Sequence, residues 1–233
     1  MSLTFVTVMR SGGAYDHTWT QRLCRQVRNH LQPDQIVCLT DDFNGGAPIM
    51  CAPFEAVRLV PLPQPWPGWF SKLNLWAPGL FEGPVLYVDL DSLILKPIPD
   101  LEAKIVAGGR LLLLDDFFAP HRAATGVMAW VPCAETEAIH AEFCRRPVCK
   151  PGWSNGDGSI VGQYVHRGLQ PLFPGVFQSW KIQEKLRQPV TGSVLCFHGQ
   201  PKNDSFPPDH WVTKAWKGMP NTAVSQPGEK QPQ

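Results

Sequence analysis

Short apolar runs alternate with amphipathic stretches through the first part of the chain. Leu3-Thr4-Phe5-Val6-Thr7-Val8 reads as a strand, broken by Ser11-Gly12-Gly13-Ala14. Asp16 suits a helix N-cap, and Trp19, Leu23, Val27 and Leu31 recur at every fourth position, so a one-faced helix is predicted up to Leu31, with Pro33 as its stop. Gln35-Ile36-Val37-Cys38-Leu39 is the second strand and runs into Thr40-Asp41-Asp42. Strand, glycine turn, helix and strand in that order make a βαβ unit, which favours a parallel sheet. Val57-Arg58-Leu59-Val60 is a third strand, and a proline-tryptophan loop from Pro61 to Gly68 leads to a helix over Trp69–Trp76. The densest run follows, Val85-Leu86-Tyr87-Val88, a buried strand that ends in Asp89-Leu90-Asp91.

Beyond it the same reading predicts strands at Leu111–Leu114, Val127–Val131 and Val194–Phe197, and helices over Ala134–Arg145 and from Asp157 towards His166. After Lys217 the sequence turns to Pro, Gln, Asn, Gly and Ser. The expected organisation is one domain over residues 1–217 and a disordered tail over 218–233. No internal repeat and no second core is visible.

The chemistry concentrates where apolar runs end in polar residues. On an extended backbone, positions i and i+2 point to one side, so Asp89 and Asp91 face one point. Two such carboxylates repel unless a cation or proton lies between them, and their oxygens suit a hard ion such as manganese or magnesium. The alternative is a pair of solvated aspartates in a turn; the apolar strand before them and Leu93-Ile94-Leu95 after them favour a site. By the same period, Cys196 and His198 share a face at the end of the last strand, and His198 is a candidate nitrogen ligand. Lys202, four residues on, could neutralise a phosphate. Tyr15 offers a ring on which a base could stack, and Thr7 and Asp41 end neighbouring strands where a base or ribose could bond. Lys72 lies on the short helix before the aspartate strand. Asp157 is either an N-cap or a catalytic carboxylate.

Taken together, these residues resemble those of the GT-A glycosyltransferases, above all the retaining family that holds glycogenin and bacterial galactosyltransferases. The resemblance runs from Leu3 to about Lys202 and is carried best by "FSKLNLW…VLYVDLDSLILKPIPDL", which is similar to that family's Lys-Leu-x-x-Trp helix, DxD strand and Ile-x-Asp-Leu sequel. The closing segment Cys196-Phe197-His198-Gly199-Gln200-Pro201-Lys202 keeps Gly199 and Lys202 of the family pattern. Cys196 stands where the family has its histidine, and His198, two places later, is the preferred third ligand. Asp157-Gly158 stands for an Asp-Gln pair, and Ala124-Thr125-Gly126 for an Asn-Ser-Gly. The resemblance implies a three-layer α/β/α domain with a mostly parallel central sheet. It implies transfer of a hexose from a UDP-sugar to an acceptor hydroxyl, with retention, helped by Mn2+ or Mg2+ on Asp89, Asp91 and His198. Donor contacts would come from Thr7, Tyr15, Asp41, Lys72, Asp89, Leu90, Gly126, Gly199 and Lys202. Lys72 and Asp157 would carry the chemistry, Asp157 nearest the acceptor. Two other readings use the same residues: a haloacid-dehalogenase-type phosphatase with the first Asp of the DxD as nucleophile, and a nucleotide- or carbohydrate-binding module without activity.

Composition narrows the partners. A formal net charge of +1 gives no reason to expect nucleic acid or an acidic membrane. Seven cysteines without a CxxC pair read as free thiols, and with no signal peptide or apolar run long enough to span a bilayer the expected location is the cytoplasm. Nine tryptophans suit either sugar-binding surfaces or plain core packing.

Overall fold

The computed structural model describes residues 2–42, 49–51, 55–147 and 156–218. β1 (Thr4–Met9), α1 (His17–His30) and β2 (Gln35–Thr40) form the expected opening unit. The Asp16 carboxylate caps α1 by accepting from the amides of Thr18 and Trp19, at 2.9 and 3.3 Å. β3 (Ile49–Cys51) and β4 (Glu55–Pro61) follow, then a 3-10 helix over Gly68–Trp76. β5 (Val85–Val88) is the aspartate strand, and β6 (Leu93–Ile94) comes directly after it. The rest of the chain supplies α2 (Leu101–Gly108), β7 (Leu111–Asp115), β8 (Ala123–Trp130), α3 (Ala134–Arg145), α4 (Gly158–Val161), β9 (Arg167–Gly168), α5 (Leu169–Leu172), β10 (Phe177–Ser179), α6 (Trp180–Leu186), β11 (Val194–Cys196) and α7 (Trp211–Lys217).

Among the described residues, eight strands form the main sheet in the order β3-β4-β2-β1-β5-β8-β7-β9. Four of its seven pairings are parallel, including both of β1's, and the antiparallel ones involve β3 and β8. Strand side chains alternate between two apolar layers. Phe5, Ile36, Leu86, Val88 and Leu112 pack on one face with Leu23 and Val27 of α1 and Ile105 of α2. Val6, Val37, Tyr87, Leu113 and Trp130 pack on the other with Leu73 and Trp76 of the 3-10 helix and Ile139 of α3. These two clusters are the two sides of one sheet, which is the three-layer α/β/α arrangement. Seven tryptophans, at 19, 66, 76, 130, 180, 211 and 216, are buried packing residues, while Trp69 is exposed. Among the described residues no helix is long and apolar enough to cross a membrane.

Some elements differ from the pattern reading. The predicted helix over Trp69–Trp76 is a 3-10 helix, with Phe70, Leu73 and Trp76 at the three-residue spacing that such a helix eclipses. The helix expected from Asp157 towards His166 is one turn, ended by Gly162. The strand expected at Val194–Phe197 is β11, whereas α2, α5, α6, α7, β9 and β10 carry no strong periodic signal, because each is of eight residues or fewer. α7 ends at Lys217 with Gly218 in the left-handed region (φ 69°). The expected tail from 219 onward lies outside the described residues.

Candidate active site

Two sheets meet at the aspartates. β5 is central in the main sheet, flanked by β1 in parallel and β8 in antiparallel, and ligands of open α/β sheets sit beyond such carboxyl ends. The ladder continues one residue past β5, where the Asp89 amide donates to the Gly126 carbonyl at 2.8 Å. β8 carries extra residues here: Leu113 pairs with Met128, but Leu114 pairs with Ala124. That bulge lets Thr125 and Gly126 turn toward β5 and the site. The small sheet brings the other half. β6 pairs antiparallel with β11, Leu93 with Leu195, so the residues after β11 arrive beside Asp91.

Around these ends stand three carboxylates and two lysines. The Lys72 ammonium lies 2.9 Å from Asp89 Oδ1 and 3.6 Å from Asp157 Oδ2. The Tyr87 hydroxyl donates to the same Asp89 Oδ1 at 2.5 Å. Lys202 donates to Asp91 Oδ2, and the Tyr15 hydroxyl donates to that oxygen too, at 2.9 Å. Burial and the neighbouring Asp89 raise the Asp91 carboxyl above its ordinary range, against Lys202 and Tyr15, which hold it down. Burial likewise raises Asp157, opposed chiefly by Lys72 and by a hydrogen bond from Thr125. Burial lowers the Lys72 ammonium, but Asp157 and Asp89 outweigh it and hold the pKa above its usual value. Burial and Asp91 together push the Tyr15 phenol up.

Several residues stand differently from the sequence reading. Asp157 is only 4% exposed and lies against the Lys72 ammonium. Its Oδ2 has no hydrogen-bond partner among the described residues. Thr7 is fully buried, and its hydroxyl donates to the Val88 carbonyl at 3.0 Å, tying β1 to the aspartate strand from inside the sheet. Asp41 accepts from the Ser11 amide and hydroxyl at 2.7 and 2.9 Å and lies 3.4 Å from Arg10, which braces the turn after β1. Leu90 is buried in the α1-side core. A Cβ on Gly126 would stand 3.5 Å from Asp89 Oδ2, and Gly199 takes φ 64°, a conformation side-chain-bearing residues rarely adopt. Tyr15 is at the site, but its ring meets Trp19 edge-on (centroids 4.9 Å apart).

Cys196 and His198 both feel the aspartates. Cys196 is fully buried, takes a hydrogen bond from Ser92, and burial followed by Asp91 pushes its thiol well up. His198 packs against Phe117 (5.3 Å between centroids) and its pKa is lowered, mainly by burial, against the pull of Asp91. Its Nε2 is buried with no partner among the described residues. Among the described residues no three His, Cys, Asp or Glu side chains are gathered into a group that would hold an ion; each strand-end aspartate is turned to a lysine. The donor set still fits a hard divalent ion in kind: two carboxylates close enough that Asp89 raises Asp91, and an imidazole nitrogen left without a bond. Tyr87 and Thr125 escaped the sequence reading. Tyr87 shares a face with Asp89 by the strand period, a usable signal, whereas Thr125 depends on the bulge, which no local pattern announces.

By sequence the chain matches no family model and no curated protein. By structure it is similar to the galactosyltransferase LgtC, solved with donor and acceptor sugar analogs (TM-score 0.66, 12% identity, 95% of this chain and 97% of that one). It is also similar to the glycosyltransferase GlyE of Streptococcus pneumoniae TIGR4 in its apo form (TM-score 0.62, 16% identity, 92% and 59% of the two chains). The bifunctional glycosyltransferase WbbM matches with TM-score 0.64 at 11% identity, over 94% and 50%. At these identities the likeness is one of fold: the chain has the GT-A glycosyltransferase fold.

Proposed function

We propose that this chain transfers a hexose from a UDP-sugar to an acceptor hydroxyl, with retention at the anomeric carbon and with a divalent ion, Mn2+ or Mg2+, on Asp89, Asp91 and His198. The observation that carries the reading is the placement of Asp89 and Asp91 at the carboxyl end of β5, each reached by a lysine from a different element. The similarity to a galactosyltransferase solved with donor and acceptor analogs supports it.

When bound, a divalent ion supplies positive charge to the diphosphate as the sugar–phosphate bond breaks. The chain's own residues divide the remaining work. Lys202 leaves Asp91 for a phosphate oxygen and adds charge where it develops. Lys72, held between Asp89 and Asp157, donates to the donor sugar, and Asp157 fixes that lysine from behind. Tyr15 and Tyr87 fix the two aspartates through their hydroxyls. Gly126 and Gly199 leave room for the ligand to approach the backbone. No residue is assigned as a nucleophile.

The third ligand is tested by comparing two variants. Manganese binding should weaken about tenfold or more in His198→Ala and stay within about threefold of wild type in Cys196→Ser, because manganese prefers nitrogen and oxygen to a thiol that burial keeps protonated. Isothermal titration with MnCl2 reads this directly. Unchanged affinity in His198→Ala would remove the histidine from the ligand set. A second reading, a binding module without turnover, draws on the lysine pairing of both aspartates, which leaves the chain charge-compensated as it stands.

A further inference from the structure

The loop that carries His198, Gly199 and Lys202 has a cation beside it that the reading above leaves unused. β10 runs parallel to β11 with Ser179 opposite Cys196, so the residues just beyond the two strands emerge side by side. Lys181, in the first turn of α6, thereby reaches the loop after β11. Its ammonium lies 3.4 Å from where a Cβ on Gly199 would be. It also stands close enough to His198 to disfavour the protonated imidazole.

Lys72 and Lys202 each have an aspartate. Among the described residues, Lys181 has no carboxylate within ion-pair distance, although it is partly buried. An ammonium without a carboxylate beside a bare glycine backbone is placed to meet an anionic ligand. Gly199 presents no side chain toward Lys181, and its φ of 64° keeps it a glycine position.

We propose that Lys181 is a further contact to the diphosphate of the donor nucleotide, beside the loop that carries Gly199 and Lys202. The proposal rests on the UDP-sugar reading and adds to it a residue that neither the sequence pattern nor the resemblance marked. Two lysines at one loop match a group that spreads its charge over two phosphorus centres, and a compact ammonium can follow either one. Lys181 touches only the phosphates in this arrangement, so the nucleoside should not register its loss.

Titration calorimetry with UDP and with uridine, both in MnCl2, separates the possibilities for wild type, Lys181→Ala and Lys181→Arg. Lys181→Ala is expected to weaken UDP about tenfold, the scale of one charge-assisted contact, with uridine unchanged and Lys181→Arg within about threefold of wild type. The salt dependence of UDP binding should also become shallower in Lys181→Ala. UDP affinity unchanged in Lys181→Ala, or lost in step with uridine, would overturn the proposal while leaving the donor reading in place. Failure of the wild-type chain to bind UDP at all would remove the donor reading, and the proposal with it.

Discussion

Asp91→Asn is expected to raise the dissociation constant for UDP, measured in manganese, by at least about a hundredfold, equivalent to roughly 2.7 kcal/mol. The carboxylate does two things that an amide cannot. It offers an anionic oxygen to a divalent ion, and in the chain without ligand it holds Lys202 ready beside the proposed phosphate position. The fold should tolerate the change. Burial and the charge of Asp89 already hold the Asp91 carboxyl above its ordinary range, so the charged form is strained where it stands. The asparagine can still accept from the Tyr15 hydroxyl, and the variant should melt within about 3 °C of wild type, a shift that corresponds to roughly 1 kcal/mol or less. Excess chelator on the wild-type chain should reproduce the loss of UDP binding. An Asp91→Asn variant that binds UDP within about threefold of wild type would show that the second aspartate holds neither ion nor phosphate lysine.

Lys72→Met is expected to destabilise the chain by about 3–5 kcal/mol at neutral pH, the range for removing one partner of a buried ion pair. The lysine side chain is 12% exposed and Asp157 only 6%, and the pair sits against Asp89. Methionine fills the stem but leaves two carboxylates without their cation. The sign of the pH dependence follows from Asp157. Its folded pKa is above the ordinary 3.8 because of burial, and loss of Lys72 raises it further. The folded variant then keeps a proton that the unfolded chain has released. Its stability is therefore fully present below the ordinary carboxylate value and is lost as pH rises through the folded value. The gap between wild type and Lys72→Met should be smallest near pH 4 and widen toward neutrality. Urea titrations at a series of pH values read this, and a gap that stays flat with pH would show that Asp157 is not the group left uncompensated.

The sheet was legible where strands are long and buried on both sides. β1, β2 and β5 carry apolar residues on both faces, so their runs stand out, and α1 and α3 are long enough to show a face. The elements that close the site are short and take their order from pairing across the chain. β6 is two residues and β11 three, yet their antiparallel register is what brings Cys196 and His198 beside Asp91. Site residues followed the same division. Asp89 and Asp91 could be read from the strand period, and Lys72 and Lys202 from the resemblance of their segments to the family pattern. The pairing of Lys72 with Asp157 could not be, because it joins residues 85 positions apart through a 3-10 helix and a one-turn helix. Nor could the burial of Thr7, whose hydroxyl looked available until β5 was laid beside β1.

The central claim is chemical, and proton NMR of the wild-type chain with UDP-hexoses in manganese tests it most directly. The account predicts that one UDP-hexose is consumed, that UDP appears, that the new anomeric signal keeps the donor's configuration, and that a chelator stops the reaction. A UDP-hexose that binds but is never consumed would contradict transfer and leave a binding module, and cleavage of a phosphomonoester in its place would make the DxD a phosphatase motif.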